Sequence, residues 1–147
     1  LFMEASPAPR VVVLLVQKEV ADRMCARSGG MSLLSLAAQY YAEPRIVRSV
    51  PAGAFFPPPK VASAVVALCV KSERESPEKE ALFWRIAHAA FHSKRKQIAV
   101  TLRNALGVDP EQTRKALTSL HYSEKARPEE LSVVDWQKLR DYLRVLL

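Results

Sequence analysis

Phe55-Phe56-Pro57-Pro58-Pro59-Lys60-Val61 puts two aromatic rings beside three prolines and a cation. Three successive prolines fix the backbone and remove three N–H donors, so such a loop loses little entropy when it meets a flat ligand. An aromatic on a rigid loop suits stacking against an extruded base, and Lys60 suits a phosphate. The same residues also fit a hairpin loop whose phenylalanines cap a core. A second group is Ser93-Lys94-Arg95-Lys96, with Arg103 two turns on and no acid between them. On a helix these residues present a positive face to a phosphate backbone. A solvated face with no partner has the same composition.

Other chemistries find no support. His88 and His92 are one helical turn apart, a spacing that can bind metal. Residue 89 is Ala, so the glutamate of an HExxH site is missing, and no metal site is expected. There is no GxSxG, P-loop or GxGxxG pattern, and Gly29-Gly30 is the only glycine pair. Cys25 and Cys69 belong to no CxxC pair, which argues against zinc and a disulfide framework. Both lie among apolar residues and are expected in the core, reduced.

The elements that must position these groups fall into two kinds. With 147 residues the chain can form one ordinary domain or two small ones. Its net charge of +7 and pI near 9.7 point to a polyanion partner. Val11–Val16 is too short to span a bilayer, no signal peptide is evident, and a cytoplasmic protein is the simplest reading. That run reads as a strand buried on both faces, as in a parallel sheet. Gln17–Arg27 and Ser32–Tyr41 read as helices ended by Gly29-Gly30 and Pro44. Arg45–Val50 and Val61–Val70 read as strands flanking the proline loop, closing the edge of a sheet. Residues 1–71 therefore form part of an α/β domain, and 72–76 a polar linker.

Residues 77–147 read as a small helical bundle. Ser76-Pro77 starts a helix whose stripe is Leu82, Phe83, Ile86, Ala87, Ala90 and Phe91. Lys94–Leu106 reads as a second helix ended by Gly107. Asp109-Pro110 opens a third with Gln112 completing a capping box. Ser132 and Asp135 cap a fourth, with Trp136, Leu139, Leu143 and Leu146 facing the core. The opening Leu1-Phe2-Met3-Glu4 lacks an initiator Met and reads as a helix already under way, as truncation or cleavage would leave it.

Five segments, in order along the chain, resemble the KsgA/RsmA family of ribosomal RNA small-subunit adenine dimethyltransferases, relatives of the Erm methyltransferases. They are VVVLLVQKEVADRM, LSLAAQYY, VPAGAFFPPPKVASAVV, FHSKRK and ARPEELSVVDW. The resemblance implies the C-terminal part of a Rossmann-like methyltransferase sheet followed by a small all-helical, rRNA-binding domain. It implies an enzyme that uses S-adenosylmethionine to dimethylate two adjacent adenines near the 3′ end of 16S rRNA in the small ribosomal subunit. Phe55 is then expected to stack on the target adenine, with Phe56, Pro57, Pro58 and Pro59 shaping the pocket wall. Lys60, Lys94, Arg95, Lys96 and Arg103 are expected to contact RNA.

The family's glycine-rich cofactor motif and its Asn-(Leu/Ile)-Pro-(Tyr/Phe) loop have no match in this chain. The resemblance places both upstream of Leu1, in an N-terminal segment of the same protein, so this chain alone is expected to be inactive and to hold neither catalytic nor cofactor-binding residues. In the basic segment Gln97 stands where the family has Thr, and Thr101-Leu102-Arg103-Asn104 follows four residues late, about one turn. The competing reading is a non-catalytic RNA-binding module of ribosome assembly. A helical DNA-binding protein lacks any recognition-helix pattern to support it.

Overall fold

The computed structural model describes residues 9–93 and 95–146. The chain divides into two compact units. One takes in residues up to 26 together with 34–74; the other takes in 27–33 and 75 onward.

The first unit is built on three strands: β1 (Val11–Gln17), β2 (Ala42–Val50) and β3 (Ser63–Val70). Their order is β1-β3-β2, with β3 antiparallel to both neighbours, so β1 and β2 run the same way. β3 rather than the edge holds the centre. One face carries Val12, Leu14, Val16, Ala64, Val66 and Leu68, covered by helix α1 (Lys18–Met24) through Ala21 and Met24. Each large side chain fully buried there contributes roughly 1.5–3 kcal/mol. Helix α2 (Leu33–Tyr41) closes the C-terminus of α1, because Gln39 Nε2 donates to the carbonyls of Met24 (3.0 Å) and Ala26 (2.7 Å).

The structure corrects the expectations for β1 and the cysteines. β1 alternates rather than being buried on both faces: Val11, Val13 and Leu15 are 51%, 63% and 55% exposed. Among the described residues it has one strand neighbour and one helix-covered face, so its outer side chains meet no packing partner. Cys69, opposite Val11 on that uncovered face, is exposed, and Cys25 is half-buried. Pro44 lies inside β2, where an edge position tolerates its missing N–H. A register shift between Ile46 and Arg48 marks a bulge at Val47.

The second unit packs four helices: α3 (Pro77–Phe91), α4 (Ile98–Leu106), α5 (Pro110–Ser119) and α6 (Val133–Leu143). α3 packs on α4 and α6, and α5 packs on the same two. Their starts follow local chemistry. Ser76 accepts the Lys79 N–H and Ser132 the Asp135 N–H, while the Asp109 side chain accepts from Glu111. Trp136, Leu139 and Leu143 are buried as the stripe requires, and the Trp136 ring lies 5.8 Å from that of Phe91. Leu146 departs from that stripe: it lies past the end of α6 and is exposed. Residues 27–33 join this unit because the N–H groups of Gly29 (2.8 Å) and Met31 (3.2 Å) both donate to the Glu129 carbonyl. Among the described residues no helix is long and apolar enough to cross a membrane.

Candidate nucleic-acid interface

The proline loop leaves the carboxyl end of β2 and returns into β3. Pro51 starts a single 3-10 turn over Ala52–Ala54, closed by Ala54 N–H to the Pro51 carbonyl at 3.0 Å. Phe55 then turns the backbone extended and is half-buried. Phe56 is fully exposed, and Pro57, Pro58, Pro59 and Lys60 after it are exposed too. The Phe56–Pro57 peptide is cis. The returning limb is anchored where Lys18 N–H donates to the Ala62 carbonyl at 2.9 Å, beside the Gln17–Ser63 pair. The loop thus stands at the shared carboxyl end of β1 and β2, where open α/β sheets place their ligand crevices. The rings of Phe55 and Phe56 differ in role: one is tucked against the fold, the other covers nothing.

In the helical unit, the basic run is not helical as expected. α3 is capped at His92, and α4 begins only after Gln97, whose backbone is extended. Ser93, Arg95 and Lys96 form the turn between them, with Lys96 N–H on the Ser93 carbonyl at 2.8 Å. Adjacent cations with no acid one turn away gain nothing from a helix, and packing α4 back on α3 requires a reversal here. Lys94 lies outside the described residues. Two hollows share this turn. One of about 460 Å³ is lined by His92, Ser93, Arg95 and Lys96; another of about 430 Å³ by Arg95, Lys96, Gln97, Val100, Lys125 and Arg127.

Lys125 and Arg127 are what reading the sequence as a line missed. The Ile98 N–H bonds the Ala126 carbonyl at 3.0 Å, which brings their segment against the start of α4. That segment is held at both ends. The Tyr122 hydroxyl donates to Asp135 Oδ2 at 2.9 Å, and the Arg127 N–H donates to Glu130 Oε1 at 2.7 Å. Burial raises the Asp135 carboxyl, but hydrogen bonds from Ser132 and Tyr122 and the Lys138 charge outweigh it and leave its pKa below the usual range. Among the described residues no carboxylate lines either hollow, and the first turn of α4 carries no acid. The partial positive charge of that helix start adds to the four cations. Arg103, in the last turn of α4, is exposed and lines neither hollow.

Residues 1–144 match the family model described as ribosomal RNA adenine dimethylase. The chain belongs to that family. It is 37% identical over 139 residues to ribosomal RNA small subunit methyltransferase A of Dehalococcoides mccartyi, covering 94% of this chain and 48% of that protein. It is 37% identical over 142 residues to the protein of that name from Desulfitobacterium hafniense, covering 95% and 51%. The chain thus spans about half the length of the curated relatives it matches. Among solved structures, the 23S rRNA methyltransferase ErmE superposes with a TM-score of 0.78 at 21% identity, covering 97% of this chain and 58% of that one. A dimethyladenosine transferase from Plasmodium falciparum gives 0.76 at 24% identity, covering 98% and 61%. The fold is therefore mixed α/β, that of the later part of a Rossmann-like rRNA methyltransferase with its helical domain.

Proposed function

We propose that this chain carries the base-stacking loop and an RNA-docking surface of an S-adenosylmethionine-dependent enzyme that dimethylates two adjacent adenines near the 3′ end of 16S rRNA. The observation that carries the reading is Phe55, half-buried on a loop anchored at the carboxyl end of β1 and β2. Its ring would stack on the target adenine, and the proline-stiffened backbone would hold that orientation with little entropy loss. Lys60 would meet a neighbouring phosphate. Lys94, Arg95, Lys96 and Arg103, joined by Lys125 and Arg127, would hold the RNA backbone. The protein would work in the cytoplasm.

The methyl donor would supply the transferred group, but the described residues do not fit it. The crossing from β1 to α1 runs straight through Gln17 and Lys18, without a glycine turn to admit a ligand against the backbone. Cofactor and catalytic groups would therefore come from a further segment of the same protein, and this chain alone would be inactive. Calorimetry tests this: the chain is expected to give no binding heat with S-adenosylmethionine, and stoichiometric binding would reject the claim.

In the complete protein, Phe55→Ala is expected to lower methyl transfer roughly 5- to 100-fold, the range one stacked base supplies, with RNA binding nearly intact. A second reading, a non-catalytic RNA-binding module, draws on the basic hollows, which are complete without Phe55. Unchanged methylation in Phe55→Ala would favour it.

A further inference from the structure

Among the described residues the ring of Phe56 packs on nothing. A phenylalanine is among the residues most often buried, yet this one is 101% exposed while its neighbour Phe55 is tucked in. Val61, at the far end of the same loop, is 50% exposed. The chain segment that carries the ring holds charge of one sign. Between Glu43 and Glu73 the chain has no acidic residue, and it carries Arg45, Arg48, Lys60 and Lys71. Arg45, Arg48 and Lys60 are exposed, and among the described residues none of the three is in an ion pair. An exposed aromatic face on a segment whose charged side chains from Arg45 to Lys71 are all cations matches a ligand that is itself a chain of flat rings joined by anions. Single-stranded nucleic acid has that chemistry, because every base offers a π-face and every linkage a charge.

We propose that Phe56 is a second stacking platform, taking the RNA base next to the one that Phe55 holds. The inference rests on the reading of Phe55 as a base-stacking residue. In extended backbone successive side chains point to opposite sides, and Phe55 is extended. A base on Phe55 therefore lies against the fold, while its neighbour stays outside and meets Phe56. Pro57–Pro59 hold the ring's backbone in place, so stacking orders little that was free before. The loop then grips two consecutive bases from its two sides, and strands with two adjacent purines bind best.

The test is a titration of this chain with a single-stranded oligoadenylate heptamer at low salt, read by fluorescence anisotropy. Unsubstituted chain, Phe55→Ala, Phe56→Ala and the double variant are compared, with circular dichroism to confirm folding. Phe56→Ala is expected to weaken binding roughly 5- to 100-fold, and the double variant to show the product of the two single losses. Phe56→Trp is expected to keep the affinity and to lose indole emission on saturation. Equal affinity of Phe56→Ala and the unsubstituted chain overturns the inference. So does a double variant no weaker than Phe55→Ala, which would mean that Phe56 only supports Phe55. Undetectable binding of the heptamer overturns it as well. If Phe56→Ala weakens binding while Phe55→Ala does not, the reading of Phe55 fails and the stacking role of Phe56 stands.

Discussion

The backbone N–H of Ile98 donates to the carbonyl of Ala126 at 3.0 Å, and this one bond joins two basic segments far apart in the chain. It sets Lys125 and Arg127 on the rim of the hollow that Arg95 and Lys96 line. A run of cations that would be a solvated stripe on a straight helix becomes a concave patch fed from two sides. Phosphates favour such a shape, because several cations reach one backbone at once.

The patch predicts a salt dependence. Each phosphate that is no longer neutralised should reduce the slope of log affinity against log salt by about 0.7–0.9. Replacing Arg95, Lys96, Lys125 and Arg127 together with glutamine should flatten the slope by roughly three units, measured on structured rRNA fragments across a salt series. Arg103→Gln should change it less than Arg95→Gln, since Arg103 lines neither hollow. An unchanged slope in the fourfold variant would move the RNA to another surface.

Arg140 is 1% exposed and meets the carboxylates of Glu75 and Asp141, the latter at 2.8 Å. Burial disfavours its charge, but the two acids outweigh this and raise its pKa. Glu75→Ala leaves a buried guanidinium with one carboxylate, Asp141, and the Lys79 carbonyl, and should cost about 2–3 kcal/mol in urea unfolding. Arg140→Met removes the buried charge together with the cost of desolvating it, and should cost roughly half as much. The reverse order would show that the pair is held for packing rather than charge.

Asp135 sets an acid limit on the helical unit. Its folded pKa lies below the unfolded value of about 3.9, so the stabilisation is fully present above that pH and is lost as pH falls through the folded pKa. Ser132→Ala removes the cap and one of the hydrogen bonds that lower Asp135, and should cost about 1 kcal/mol near neutral pH. The loss should shrink as pH falls through the folded pKa and the carboxylate protonates in both proteins. Thermal melts across that range check it.

Gly107 ends α4 with φ +72°, in the left-handed region. A Cβ there meets nothing within 4 Å, so the cost of Gly107→Ala is conformational alone, about 1 kcal/mol by urea unfolding. Gly107→Asn should cost less, because asparagine tolerates this region better. A larger loss for both would mean that the turn has no room to adjust.

Helix starts are legible in the sequence wherever they are decided by chain neighbours. Ser76-Pro77, Asp109-Pro110 and Ser132 each cap the helix they announce. The turn from His92 to Gln97 is not, because a run of lysine and arginine reads as helix until the packing of α4 on α3 demands a reversal. Lys125 and Arg127 carry no signal of a phosphate contact in their own neighbourhood, since it is the fold, through the Ile98–Ala126 bond, that brings them to the basic turn. Phe55 and Phe56 are the same residue type side by side. Nothing in a one-dimensional pattern shows that one ring is half-buried and the other bare. The exposure of Val11, Val13 and Leu15 is hidden for a related reason: a β-branched run reports strand, not how many faces are covered.

The two margins of the sheet differ in kind. At β2 the outer rim carries Pro44, which offers no donor, a bulge at Val47, and the charges of Glu43, Arg45 and Arg48. At β1 the rim is regular, unbroken by proline and flanked by exposed valines. Backbone pairing with another strand is therefore refused on one side and invited on the other. Among the described residues the sheet thus has a direction of growth: it is terminated at β2 and extensible at β1.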